Sequence, residues 1–226
     1  VFVSGVVPPA KPVITAAGGV GYIRLSIANP APAEDEPVVG ANELYKRKAD
    51  GPWTRIAVLP PGEGYDDYTV ASDTTYEYKA KAVSVERGAT TDSDVVSQSI
   101  SLTGIWLHDP ADAIASVRRY AIDSGERGYN WKPEVALMQF AGRRLPVSEF
   151  GEMETESITF TIRFPRDTGQ YESLLELVKR RTVLCYRDGR GRMMLGIITE
   201  LPIPDEDSWG YRVQARIDAV DYSEVV

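Results

Sequence analysis

Three glutamates at alternate positions, Glu152, Glu154 and Glu156, have the type and spacing closest to chemistry. On a strand every second side chain shares a face, so the row could supply the paired carboxylates used in glycoside hydrolysis. Nothing around them separates an acid from a base, and a charged strand edge or an acidic row facing a channel is the better reading. Asp205, Glu206 and Asp207 could collect calcium, but they run consecutively and lack the ligand-turn-ligand order of a calcium loop, which points to a solvated turn. Arg187, Arg190 and Arg192 in one segment, with Arg143 and Arg144 in another, could touch nucleic acid. The acidic overall balance and the lack of interleaved aromatics favour an intersubunit salt-bridge rim, to which the three glutamates could also contribute. Gly18-Gly19-Val20-Gly21 and Asp188-Gly189-Arg190-Gly191 lack the Gly-Lys-Ser/Thr ending of a phosphate-binding loop and read as turns. His108 and Cys185 are each the single residue of their kind, so a Cys/His zinc site within the chain and an intrachain disulfide are excluded. His108 reads as an exposed interdomain residue and Cys185 as a small buried hydrophobe in a strand. Trp53, Tyr65, Tyr68 and Trp209 could stack on sugar rings if exposed, although core packing is the commoner fate of such residues. No catalytic, cofactor-binding or metal site is expected, and the chain does not read as an enzyme.

The elements that position these residues are organised around Thr155 to Thr199. Ile158, Phe160, Ile162 and Phe164 alternate with Ser157, Thr159, Thr161 and Arg163, the pattern of a half-buried strand. Pro165 stops it. Asp167 can cap a helix expected over 168–181, with Tyr171, Leu174, Leu175 and Val178 at helical spacing and Lys179, Arg180 and Arg181 at its negative end. Val183 to Arg187 and Arg192 to Ile198 flank a glycine-bearing turn and predict a hairpin. Trp209 to Tyr222 alternates again.

With 226 residues, 43% apolar and 26% charged, the chain can bury two ordinary cores. Its net charge of -8 is spread evenly, with 9 basic and 13 acidic residues up to Thr103 and 16 and 20 beyond it. Neither part resembles a phosphate-backbone binder, so no nucleic-acid sequence readout is expected. No apolar run approaches the roughly 20 residues that span a bilayer, so no membrane insertion is expected. The first residue, Val1, implies a processed chain or a segment of a longer one, and the lack of disulfides fits assembly in a reducing cytoplasm.

Residues 1–10 form an N-terminal segment or the end of a preceding domain, closed by Pro8-Pro9. From Lys11, short strands recur every ten or so positions between turns, the signature of a β-sandwich. At Thr74-Thr75-Tyr76-Glu77-Tyr78-Lys79-Ala80-Lys81-Ala82-Val83 the chain resembles the sixth strand of a fibronectin type III domain, and the resemblance covers residues 11–103. It implies that Tyr76 is a corner tyrosine whose hydroxyl returns to the backbone a few residues upstream. The usual core Trp of the second strand is replaced by Ile27. The family's spacers and adhesive modules supply no catalytic residue.

Residues 104–112 read as a linker, Ala113 to Ile122 as either helix or strand, and Ser124-Gly125-Glu126-Arg127-Gly128 as a turn. Val135 to Phe140 and Leu145 to Val147 read as strands about a tight connection. The order of Phe140 to Val147, Glu149-Phe150-Gly151-Glu152, the alternating strand, the helix, Cys185 to Gly191 and Val220-Asp221-Tyr222 resembles minor tail proteins of long-tailed phages, over residues 113–226. That resemblance implies a barrel-plus-helix block of tail-tube and distal-tail rings, joined sheet to sheet about a channel. The expected fold is therefore mainly β: a fibronectin III-like sandwich, then an antiparallel barrel or split barrel with one packed helix. The expected role is a virion structural subunit, assembled in the host cytoplasm, partnered by further copies of itself as a trimer or hexamer and by other tail proteins. The alternative is a module that binds a host-surface glycan without catalysis.

Overall fold

In the computed structural model, residues 7–85, 88–166, 168–202 and 210–222 are described, without the side chains of 122–126 and 211. The chain is mainly β, as its periodicity demands, and it divides into two compact units. The first holds the described residues up to Thr103 together with Arg187–Met193; the second holds Gly104–Tyr186 and Met194–Tyr222.

In the first unit, β1 (Val13–Gly18), β2 (Ile23–Ala28) and β5 (Tyr65–Asp67) form one antiparallel sheet in the order β1-β2-β5. β3 (Val39–Lys48), β4 (Thr54–Leu59), β6 (Tyr76–Ser84) and β7 (Thr90–Asp92) form the other, in the order β4-β3-β6-β7, and β8 (Val96–Gln98) also pairs with β6. The period-2 alternation of β6 is strict: Tyr76, Tyr78, Ala80 and Ala82 are buried while Glu77, Lys79 and Lys81 are half-exposed. Ile23, Leu25 and Leu44 are fully buried as well. Ile27 is buried, and Tyr76 and Tyr78 supply the aromatic bulk. The hydroxyl of Tyr76 accepts a hydrogen bond from the Ala71 N–H at 3.0 Å, five residues upstream. Between β7 and β8 the ladder is carried by Ser93, whose N–H donates to the Ala80 carbonyl at 2.7 Å while its Oγ accepts from the Ala80 N–H at 2.9 Å.

In the second unit, β9 (Ile105–His108) leads through a short 3-10 turn to α1 (Ala113–Ser116) and β10 (Arg118–Tyr120). Next come β11 (Ile122–Met138), β12 (Val147–Pro165), α2 (Gln170–Lys179), β13 (Leu184–Asp188), β14 (Met193–Glu200) and β15 (Gly210–Ala219). The sheet order is β10-β9-β13-β14-β15-β12-β11. Among the described residues no sheet closes into a barrel, which corrects that part of the expectation. One residue, Ala121, ties the two ends of the strand order. It alone separates β10 from β11, the two opposite edges of the sheet, so chain connectivity of about 3.8 Å per residue draws the edges together without a hydrogen-bonded ladder between them. The sheet is thus curled and split.

Its concave core contains Ile158, Phe160, Ile162 and Phe164 from β12, Val213, Ala215 and Ile217 from β15, and Tyr171, Leu174 and Leu177 from α2. Phe164 meets Tyr171 and Tyr120 edge-on, with ring centroids 5.7 and 5.6 Å apart. The helix is shorter than its predicted 168–181 span. Gly169, at φ 65°, stands at its N-cap, where glycine adopts the left-handed conformation at no steric cost, and Asp167 lies outside the described residues.

Other local expectations change in context. Residues 104–112 include strand β9, and His108 is fully buried rather than exposed. The segment 124–128 lies within β11, where a register irregularity between Ile122 and Arg127 absorbs the glycines. Cys185 is buried in β13 as its apolar neighbours imply.

Candidate interaction surface

The surface that stands out is the outer half of the β11–β12 hairpin. Both strands are far longer than the common five to six residues, at 17 and 19. Their inner halves belong to the sheet, where β12 pairs with β15 from Ser157 to Pro165. Beyond Ser157, among the described residues, β12 has only β11 for a partner, and the two continue together as a ribbon from Trp131–Glu156 to Met138–Val147. Ten residues at about 3.3 Å each give an arm roughly 33 Å long.

Alternation dictates what the arm presents. Ile158 faces the core, and its register partner is Tyr129. The same parity carries Trp131, Val135 and Leu137 outward along β11, with Phe150 opposite Val135. Trp131 is 52% exposed, Leu137 64% and Phe150 70%. Met138, Phe140, Leu145 and Met153 are exposed too. Along β11 the apolar face that meets the core therefore continues past it into solvent, while on β12 the same face carries Glu156, Glu154 and Glu152 before Phe150. An isolated two-stranded ribbon is only marginally stable in water, and an exposed apolar surface of this extent marks an interaction site.

Polar groups frame the stripe. The Trp131 Nε1–H donates to Glu154 Oε2 at 3.0 Å. The Glu134 side chain lies against Gly151, within a bulge that sets three residues of β12 against one of β11. At the tip, Gly142 at φ 82° makes the turn, the Arg143 N–H donates to the Phe140 carbonyl at 3.2 Å, and the Arg143 guanidinium lies 5.9 Å from the Phe140 ring centroid.

The residues singled out in the sequence distribute as follows. Arg143 and Arg144 sit at the arm's tip, and Glu152, Glu154 and Glu156 on its β12 strand, so these five share one element. Arg187, Arg190 and Arg192 belong with the first unit instead. Arg187 is fully buried, its Nη1 donating to the carbonyls of Gly21 at 2.7 Å and Val70 at 3.4 Å, which removes it from any surface rim. Asp188 accepts from the backbone N–H groups of Arg190 and Arg192 and shapes that turn; Arg190 is exposed and Arg192 half-buried.

Of the aromatic candidates, Trp53 is half-buried under two cations, the Arg47 guanidinium 4.5 Å and the Lys79 ammonium 5.2 Å from its ring centroid. Tyr68 leans on Tyr22 with centroids 5.1 Å apart, and Tyr65 is half-buried in β5 on the other sheet. Trp209 and the run Asp205 to Asp207 lie outside the described residues.

A groove of about 430 Å³ is lined by Thr159, Glu200, Leu201, Gln214 and Arg216. Arg216 is engaged by Asp218 at 2.8 Å and Glu200 at 3.9 Å. Among the described residues no group of three His, Cys, Asp or Glu side chains could hold a metal ion, and no helix is long and apolar enough to cross a membrane.

Sequence reasoning missed Tyr129, Trp131, Val135, Leu137, Phe150 and Met153. Their signal was the alternation of 129, 131, 135 and 137, but periodicity reports a shared face and not what covers it. No protein-family model and no curated protein matches the chain.

Proposed function

We propose that this chain is a structural protein of a long-tailed bacteriophage virion: a minor tail subunit of the tail tip or baseplate, assembled in the host cytoplasm and acting without catalysis. Its second unit forms or decorates a ring around the tail channel with further copies, trimeric or hexameric, and with other tail proteins. The first unit is a fibronectin type III-like decoration. The observation that carries this reading is the arm, a long apolar ribbon with its own partner-seeking face on a curled, open sheet. Subsidiary support comes from the order of elements in the second unit and from the Tyr76 hydroxyl bond to the Ala71 backbone in the first.

The glycan-binding alternative draws less support, because the Trp53 ring is occupied by cations. The deciding measurement is the mass of the full chain in solution across a wide concentration range, followed by negative-stain imaging. Closed rings of threefold or sixfold symmetry are expected. A chain that stays monomeric at every concentration and binds cell-wall fragments saturably would replace this reading with the glycan-binding one.

A further inference from the structure

The arm carries two sets of charges that its own geometry keeps apart. Arg143 and Arg144 lie in the turn before Val147, and Glu149, Glu152 and Glu156 follow along β12. None of these five makes an ion pair among the described residues, and all except the half-buried Glu156 are exposed. Along an extended strand, Glu152 stands about 16 Å and Glu156 about 30 Å beyond Val147, too far for an arginine at the tip to reach back to either. Between the basic tip and the acidic stem lies the exposed apolar run of Leu137, Leu145 and Phe150. A ribbon basic at its tip, with a stem in which Glu134, Glu152, Glu154 and Glu156 outnumber Lys132, is complementary to a second ribbon of the same kind laid tip to stem.

We infer that the occupant of this surface is a second copy of the chain, with the arm tip of one copy laid on the arm stem of the next. Arg143 and Arg144 of one copy then face Glu152 and Glu156 of its neighbour, while Trp131, Leu137 and Phe150 are covered by the neighbour's apolar stripe. Where each copy gives its tip to one neighbour and receives a tip from another, the contact is heterologous and closes only as a ring. Burial of the apolar stripe supplies the affinity, and the charges set the register and the direction. β11 ends the sheet order, so its outer edge is also open to such a neighbour, and Pro133 removes one backbone donor that a continuous strand addition would need. Side chains rather than a full backbone ladder therefore define the contact. This rests on the reading of the chain as a self-assembling subunit.

The test compares four full-length proteins by mass in solution across concentration, at low and high salt: the unaltered chain, Arg143→Glu/Arg144→Glu, Glu152→Lys/Glu156→Lys, and all four changes together. The unaltered chain is expected to associate, more weakly at high salt. Each pairwise reversal should raise the midpoint concentration by about tenfold or more, and the fourfold variant should return it towards that of the unaltered chain. All four sites are on the arm surface, so equal melting temperatures control for folding. If all variants associate equally, the arm contact is wrong while the ring reading stands on another surface. If the reversals weaken association but the fourfold variant does not recover, the tip and stem are not each other's partners. If the unaltered chain stays monomeric, the arm contact and the ring reading fail together.

Discussion

Replacing Asp67 by Asn should cost the first unit more stability than any surface change. Asp67 is 1% exposed, and its carboxylate is held by the Lys46 ammonium at 2.7 Å, the Tyr78 hydroxyl at 2.8 Å, and the Thr69 N–H and hydroxyl at 2.9 and 2.8 Å. Asparagine keeps the shape and one acceptor but removes the charge. Lys46, itself largely buried, is left with the Thr69 carbonyl and hydroxyl at 2.6 and 3.1 Å and the Tyr76 ring face. Removing one partner of a buried ion pair costs about 3–5 kcal/mol, because the other charge stays desolvated. At roughly 4–8 °C per kcal/mol for about 100 residues, the melting transition of this unit should fall by at least about 12 °C in scanning calorimetry. Removing both charges, as Lys46→Met/Asp67→Leu, should recover part of that loss but not all, since Tyr78 and Thr69 lose their acceptor.

The pH dependence has a fixed sign. Burial pushes the Asp67 carboxyl up, but the Lys46 ammonium and the Thr69 hydrogen bonds outweigh it and hold the group below the usual carboxylate range. Its contribution is complete above the unfolded value of about 4 and is lost as pH falls through the depressed folded value. The gap between the unaltered protein and Asp67→Asn should therefore narrow below about pH 4. A melting shift under about 3 °C at pH 7 would refute this account of the pair.

Three further changes probe separate parts of the chain. Tyr76→Phe leaves the Ala71 N–H without its buried acceptor and should destabilise the first unit by about 1–3 kcal/mol in urea titration, with little change in the slope against denaturant. Leu174→Ala empties a fully buried position under α2 and should cost about 2–5 kcal/mol, read as a lower urea midpoint of the second unit. Gly189→Ala places a Cβ 2.5 Å from the Leu102 carbonyl oxygen, a backbone atom that cannot step aside, so the first unit's melting temperature should drop, while Arg190→Ala at the exposed neighbour should leave it unchanged.

Local pattern carried a large share of the structure. Period-2 alternation is sufficient for β6, β12 and β15 because a strand's faces are fixed by the pleat, whatever lies beyond them. Helical spacing from Tyr171 and the glycine-bearing turn at Asp188 to Gly191 likewise define α2 and the β13–β14 hairpin. What a face meets is a different matter. Trp131 and Phe150 obey the same alternation as Ile158 and Phe160, yet the first pair is exposed and the second buried, because among the described residues β15 runs alongside β12 only as far as Ser157. Arg187 has the sequence look of a surface arginine, and its burial follows from two carbonyls more than a hundred residues away in the chain. His108 is buried for the same kind of reason, as a short segment read as linker became a strand inside a seven-stranded sheet. The sequence by itself determined which residues share a face and where the chain turns, because both depend on neighbours a few residues apart. Only the tertiary structure decided which of those faces would be covered, because that depends on where distant strands end.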